Sequence, residues 1–260
     1  MCSERMLGMA LVAAMSLCGC SVKEDRSICP CILTLDLTEL DDDHLSEMEV
    51  EKVIFDCVGT GCLVPGRIPK EMEREVSRDV LRRSFHCIGA GWNVTEGLDS
   101  LMIPVGAQCP PIYSSSDSLD ARREVLRDTV HLHKNFARLK IKTDFFPTDS
   151  FGFCLVGTVC GYSASGQPLA GPFEYRFMPD REGMAEISVP RQTDDALRME
   201  TGHGNFEFRS LPLGKYIERS GYDWTAEDLT DIEIEVGLTS TRISFSTGQW
   251  GNTQLFSVLI

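Results

Sequence analysis

FGFCLVGTVCGYSASGQPLAGPFEYRFMPDREGMAEISVP, residues 151–190, is the stretch that decides the fold class. Its apolar and β-branched residues fall in short runs, at 151–159, 173–177 and 185–189. Between and after the runs stand Gly166, Pro168, Gly171, Pro172, Pro179, Gly183 and Pro190. Runs this short suit strands rather than helices, which need about ten residues or more, and the glycines and prolines supply the turns. Strands separated by turns, with no helical stretch between them, predict an all-β sandwich and not βαβ units.

The same punctuation continues downstream. Short strands are predicted at 206–208, 232–236 and 242–245, with Gly202, Pro212, Gly214 and Gly221 among the gaps. One helical turn is predicted at 225–229, where Thr225 offers an N-cap and Glu227 and Asp228 favour a helix start. The chain finishes on LFSVLI, in which Leu255, Phe256, Val258, Leu259 and Ile260 supply the apolar positions of a terminal strand. Termini normally fray, so a strand running to the last residue is unusual.

Upstream, residues 129–134 and 139–143 open a new strand pattern, and a second domain is expected to begin at residue 129. His131 and His133 lie two apart, so on a strand they share a face. No third ligand accompanies them, and they read as polar surface residues. In the first half, Leu33, Leu35 and Leu37 alternate along one strand, residues 53–58 form another, and residues 85–92 form a third that ends in a glycine bend. The charged run 69–83 fits a surface helix or a polar hairpin, and the serine-containing stretch 112–128 reads as a connector. Asp41, Asp42 and Asp43 lack the spacing of an EF-hand loop and read as a solvated turn.

The chain has 260 residues, enough for two ordinary domains, and a formal net charge of -14. Such a charge disfavours nucleic acid and anionic membrane surfaces as partners. Residues 1–19 have the form of an export signal: Arg5, an apolar core too short to span a membrane, and a small-residue exit. The exit Leu17-Cys18-Gly19-Cys20 resembles a lipoprotein lipobox, which makes Cys20 the acylated N-terminus of the mature chain. Two or three acyl chains hold a protein at a membrane stably where one does not. The following Ser21-Val22-Lys23-Glu24-Asp25 resembles a surface-export signal.

Of eleven cysteines, Cys2 and Cys18 leave with the signal and Cys20 carries lipid. The remaining eight are compatible with disulfides or with buried thiols. G-x-S-x-G, H-E-x-x-H, Walker A and C-x-x-C patterns are all missing from the sequence, so no catalytic, cofactor-binding or metal site is predicted. Asp99-Ser100-Leu101, Asp117-Ser118-Leu119 and Asp128-Thr129-Val130 resemble bacterial O-glycosylation acceptors.

Taken in order, these pieces resemble the FimB-type fimbrial anchor family, the lipoproteins at the base of type V, fimbrillin-type pili. The resemblance runs from Cys20 and Cys29-Pro30 through residues 85–92 and 130–141 to 211–217, 222–229 and 243–250. It implies two tandem transthyretin-like Greek-key β-sandwich domains, here 32–128 and 129–260, behind a lipidated tether at 20–31. It also implies a non-enzymatic outer-membrane lipoprotein, exposed at the cell surface, that joins fimbrillin subunits by strand addition. In that mode main-chain hydrogen bonds supply affinity and alternate side chains fill a groove. Leu255, Phe256, Val258, Leu259 and Ile260 form the candidate exchanging segment. A surface glycan-binding lipoprotein is the alternative, and Trp92, Trp224 and Trp250 are the tryptophans from which it would build an aromatic platform.

Overall fold

The computed structural model describes residues 29–40, 45–46, 48–57, 62–64, 68–95, 99–143, 151–203, 206–236, 240–245 and 256–259. Cys20, residues 21–25, Asp41–43, Trp250, Leu255 and Ile260 lie outside them. The first half forms β1 (Cys31–Asp36), β2 (Lys52–Cys57), β3 (Cys62–Val64), β4 (Glu71–Val76), β5 (Val80–Ile88), β6 (Asn93–Val94), β7 (Ser100–Met102), β8 (Ile112–Asp120), β9 (Val125–Thr129) and β10 (His133–Lys134). The second forms β11 (Phe136–Thr143), β12 (Phe151–Ser163), β13 (Pro168–Phe177), β14 (Met184–Pro190), β15 (Arg198–His203), β16 (Phe206–Leu211), helix α1 (Leu213–Arg219), β17 (Ile232–Val236), β18 (Ser240–Phe245) and β19 (Phe256–Leu259). Among the described residues the protein is all-β apart from α1, about two turns long, and a helical fragment at 45–46.

The strand order repeats. In the first half β1 lies between antiparallel β4 and parallel β9, and the facing sheet runs β10-β8-β5-β2-β3. In the second half β11 lies between antiparallel β14 and parallel β17, while β12 pairs with β13 and with β15, and β15 with β16. Two additions break the symmetry: β18 and β19 extend the second half's sheet beyond β17, and β7, from the first half of the chain, pairs with β12.

Alternation places the cores. Leu33 and Leu35 of β1 face Val53, Phe55, Phe85 and Leu119 in one apolar cluster. Leu139 and Ile141 of β11, with Ile232 and Ile234 of β17, belong to a second cluster that includes Phe153, Leu155 and Phe173. Along β11 and β17 the outward positions put Lys140 beside Glu233 and Lys142 beside Glu235, so one register buries the aliphatic face and pairs opposite charges outside. The second cluster also takes in Ile54, Ile88, Trp92, Leu101, Ile103 and Ile112 from the first half. The β2–β5–β8 sheet is therefore covered on both faces, which explains why seven of the nine β5 residues are buried.

Several local expectations are corrected. Residues 112–128 are not a connector: β8 pairs along its full length with β5, and β9 pairs with β1. The charged run 69–83 is two strands in different sheets, β4 on β1 and β5 on β2 and β8. The helix falls at Leu213–Arg219 rather than at 225–229. There, Asp223 accepts from both the N–H and the hydroxyl of Thr225, an Asx-type turn in which Asp223 and not Thr225 is the capping group. Gly171 and Pro172 do not end a strand but lie within β13, where register shifts in its pairing with β12 accommodate them.

Candidate functional site: sheet edges and the junction cleft

The described chain begins at Cys29 and runs directly into β1, where Cys31 is fully buried. Beside it, β9 is the last strand of its sheet among the described residues. Its Val125 is 61% exposed, an apolar side chain at an edge. Parallel pairing sets Leu35 beside Asp128, and alternation turns Asp128 inward. It meets Arg83 of β5, which has no exposed surface: Arg83 Nε donates to Asp128 Oδ2 at 2.9 Å, Nη1 to Ser115 Oγ at 2.8 Å and Nη2 to Asp117 Oδ2 at 2.8 Å. On the outer face, Arg127 Nη2 donates to Asp36 of β1 at 2.9 Å and Glu71 of β4 at 2.7 Å. The Arg127 guanidinium and the Thr38 hydroxyl hold the Asp36 carboxyl down at about 2. The edge strand is thus tied to both sheets of its sandwich.

At the other end of the chain, β17, β18 and β19 form a meander, with Ser240 opposite Leu259 and Ile243 opposite Phe256. Of the residues expected to exchange, Phe256, Val258 and Leu259 lie in β19, the outermost strand of this sheet among the described residues.

A junction joins the halves. The β12–β13 turn presents three successive carbonyls to the first half and the linker. His86 Nε2 donates to Ala164 O at 2.7 Å, Ser116 Oγ to Ser165 O at 2.9 Å, and Asn135 Nδ2 to Gly166 O at 3.1 Å. Gly166 suits this turn because its φ is +74°, a conformation that side chains strain, and a Cβ would also crowd His86 Cε1 at 3.2 Å. Burial lowers the pKa of His86, and its Nδ1 accepts from Ser114 Oγ at 2.9 Å. Next to this turn opens a cleft of about 930 Å³ lined by Asn135, Arg191, Asp194, Tyr222, Asp223 and Trp224, among others. Tyr222 and Trp224 meet edge to face at 4.8 Å. Arg191 is spent on structure, donating to Asn135 Oδ1 and to the carbonyls of Trp224, Ala226 and Glu227. Asp194 accepts from Thr158 Oγ1 and the Ala196 N–H, and Asp223 from Thr225, which lowers the Asp223 pKa. Asp223, held ionised in this way, is an acceptor rather than a proton donor.

His131 and His133 do not converge: His131 meets Glu39 at 2.9 Å and His133 meets Asp228 at 3.1 Å. Among the described residues no group of His, Cys, Asp and Glu side chains is placed to hold a metal. Cys31, Cys87 and Cys109 are buried free thiols; burial pushes Cys87 up to about 12 and raises Cys109 as well, which makes both poor nucleophiles. Trp92 is buried with its Nε1 donating to Pro111 O at 3.1 Å, so it forms no exposed platform; Trp224 is half-buried. The β9 edge and the carbonyl turn at 163–167 escaped sequence reading. The signal for the turn was there in Ser163-Ala164-Ser165-Gly166, but nothing in it names the partner. Among the described residues no helix is long and apolar enough to cross a membrane.

No family model matches the chain, and no curated protein sequence matches it. Solved structures do. A candidate polysaccharide-binding protein from Bacteroides thetaiotaomicron superposes with a TM-score of 0.59 at 10% identity, covering 88% of this chain and 98% of that one. The fimbrial anchor protein Mfa2 from Porphyromonas gingivalis gives 0.55 at 11% identity, covering 87% and 100%. A candidate adhesin from Bacteroides thetaiotaomicron gives 0.51 at 14%, covering 89% and 98%. The likeness is one of fold over nearly the whole chain, and the fimbrial anchor fold that the sequence resembles is the fold the chain adopts.

Proposed function

We propose that this chain is a lipid-tethered, non-enzymatic anchor or accessory subunit of a surface fimbria, held in the outer membrane by acyl chains on Cys20 and joined to fimbrillin-type subunits by strand addition. Domains 32–128 and 129–260 are its two bodies. The observation that carries the reading is the broken symmetry of the repeated strand order. In the second half, β18 and β19 cover the outer side of β17; in the first half, β9 occupies the corresponding place with no described strand beyond it. A chain that carries a covering strand pair at one end and, among the described residues, an uncovered equivalent edge at the other has the parts of a strand-exchange subunit. Long-lived soluble monomers blunt such edges. The fold it shares with a fimbrial anchor protein supports the same reading.

The test is in cells. Replacing Cys20 by alanine releases fimbriae into the medium, and deletion of residues 253–260 breaks attachment while the remaining domains stay folded. Fimbriae retained by Cys20→Ala cells would show that the anchor lies elsewhere. A second reading, glycan binding, is favoured by one feature, the junction cleft with the half-buried Trp224 on its wall. It predicts loss of polysaccharide binding on Trp224→Ala with fimbriae unchanged.

A further inference from the structure

We propose that the parallel pairs β1–β9 and β11–β17 are two shear clamps in series, through which the chain carries tension along its length. The source of that tension rests on the anchor reading; the geometry does not. The tether enters at the N-terminal end of β1, and the chain leaves the first sheet at the C-terminal end of β9. Because the strands are parallel, Ile32 lies beside Val125 and Asp36 beside Thr129, so the points of entry and exit sit at opposite ends of one ladder. Drawing them apart slides β1 along β9 and strains every ladder bond together. A ladder pulled from one end opens one bond at a time. Each main-chain hydrogen bond contributes only about 1 kcal/mol net, so simultaneous straining is what turns weak bonds into a high barrier. Forced unfolding is set by that barrier rather than by equilibrium stability.

The ladder continues past both ends of the strand pair, with Ile32 N donating to Glu124 O at 2.9 Å and Val130 N to Asp36 O at 3.0 Å. β1 is held on its other side by β4, from Cys31 beside Val76 to Asp36 beside Glu71. Arg127 fastens all three strands where β1 ends, through Asp36 and Glu71, and Arg83 fastens β9 to the facing sheet through Asp128. The second half repeats the arrangement. The chain enters at Phe136 of β11 and passes at Val236 from β17 into β18 and β19 of the same sheet, with Leu139 beside Ile232 and Thr143 beside Val236 in a parallel ladder. Antiparallel β14 holds the other side of β11. At the entry, Asp231 takes Lys134 Nζ and the Arg138 N–H. The first sandwich thus has a parallel pair between its entering and leaving strands, and the second repeats that pair with β18 and β19 beyond it, so that tension crosses each parallel ladder in shear.

Single-molecule pulling of the full mature chain tests this, with one handle at its N-terminus and the other on a single reactive non-natural residue. Position 131, exposed and just past β9, loads the ladder in shear; position 123, exposed and just before β9, peels it. The rupture force is expected to be severalfold higher for the handle at 131, and Arg127→Met is expected to lower it, thermal melting having shown all forms folded. Equal forces from the two positions, or a higher force from 123, would overturn the clamp. Neither result touches the Cys20 test, because the handle replaces the lipid.

Discussion

Arg83 is the residue on which the first sandwich depends most, since it is a fully buried cation whose three nitrogens are all satisfied by Asp128, Ser115 and Asp117. Removing one partner of a buried ion pair leaves an uncompensated charge. Asp128→Ala is therefore expected to cost about 3 kcal/mol in urea unfolding, whereas the double change Arg83→Met with Asp128→Leu costs far less. Asp117, with 59% of its side chain exposed, contributes little by comparison. His86 makes the same half of the molecule sensitive to acid. Its pKa lies below the ordinary histidine value of 6.5 mainly because of burial; Ala164 O and Asp56 act to raise it, and Arg83 to lower it. A histidine whose folded pKa is depressed leaves the native state fully stable above 6.5. Stability is lost as pH falls below that value, where the unfolded chain takes up a proton more readily. The urea midpoint should drop between pH 7.5 and 5.5, and His86→Gln should flatten that part of the profile. An unchanged slope in the variant would assign the acid sensitivity to another group.

At the scale of elements, β7 is the piece that stitches the two halves, and one glycine admits it. A Cβ on Gly161 would stand 2.2 Å from Leu101 O, closer than any packing allows, so β7 can lie on β12 only while residue 161 has no side chain. Gly161→Ala is expected to expel residues 93–103 from the sheet. The cost is about 3 kcal/mol, the upper end of ordinary single substitutions, and hydrogen exchange at the Ile103 amide, now bonded to Cys160 O at 2.9 Å, would report the loss. The strands that sequence reading located are those marked by apolar runs: β1, β2, the end of β5, β11 to β14 and β16 to β19. β8 was hidden because serines occupy its inward places. Ser114 and Ser115 are buried to solvate His86 and Arg83, so a core strand carries the composition of a loop. Helix α1 was hidden for a related reason. It is seven residues long, follows Pro212 and contains Gly214, where a Cβ would stand 2.4 Å from Asp195 O; a breaker in the sequence is a close contact in the fold. For the candidate site, the sequence supplied the chain ends but not the β9 edge, uncovered among the described residues, since whether a strand has a neighbour is a property of topology and not of its own residues.

For the molecule as a whole, the question is whether two sandwiches joined in this way unfold as one. Ile54, Ile88, Trp92, Leu101, Ile103 and Ile112 come from the first half of the chain yet sit in the core of the second. Burial of a large apolar side chain contributes about 1.5–3 kcal/mol, so exposing these six together removes on the order of an ordinary domain's whole margin of stability. The carbonyl turn at 163–167 adds its three side-chain hydrogen bonds to the same boundary. Neither half can melt without stripping the other of part of its core, and the chain is expected to unfold in a single calorimetric transition despite its length. A fragment of residues 129–260 expressed alone lacks β7 and those six side chains; it is expected to keep strand-type far-ultraviolet circular dichroism and lose the near-ultraviolet signal of fixed aromatic packing. Two resolved transitions in the intact chain, or a natively packed fragment, would show that the shared core is an incidental contact.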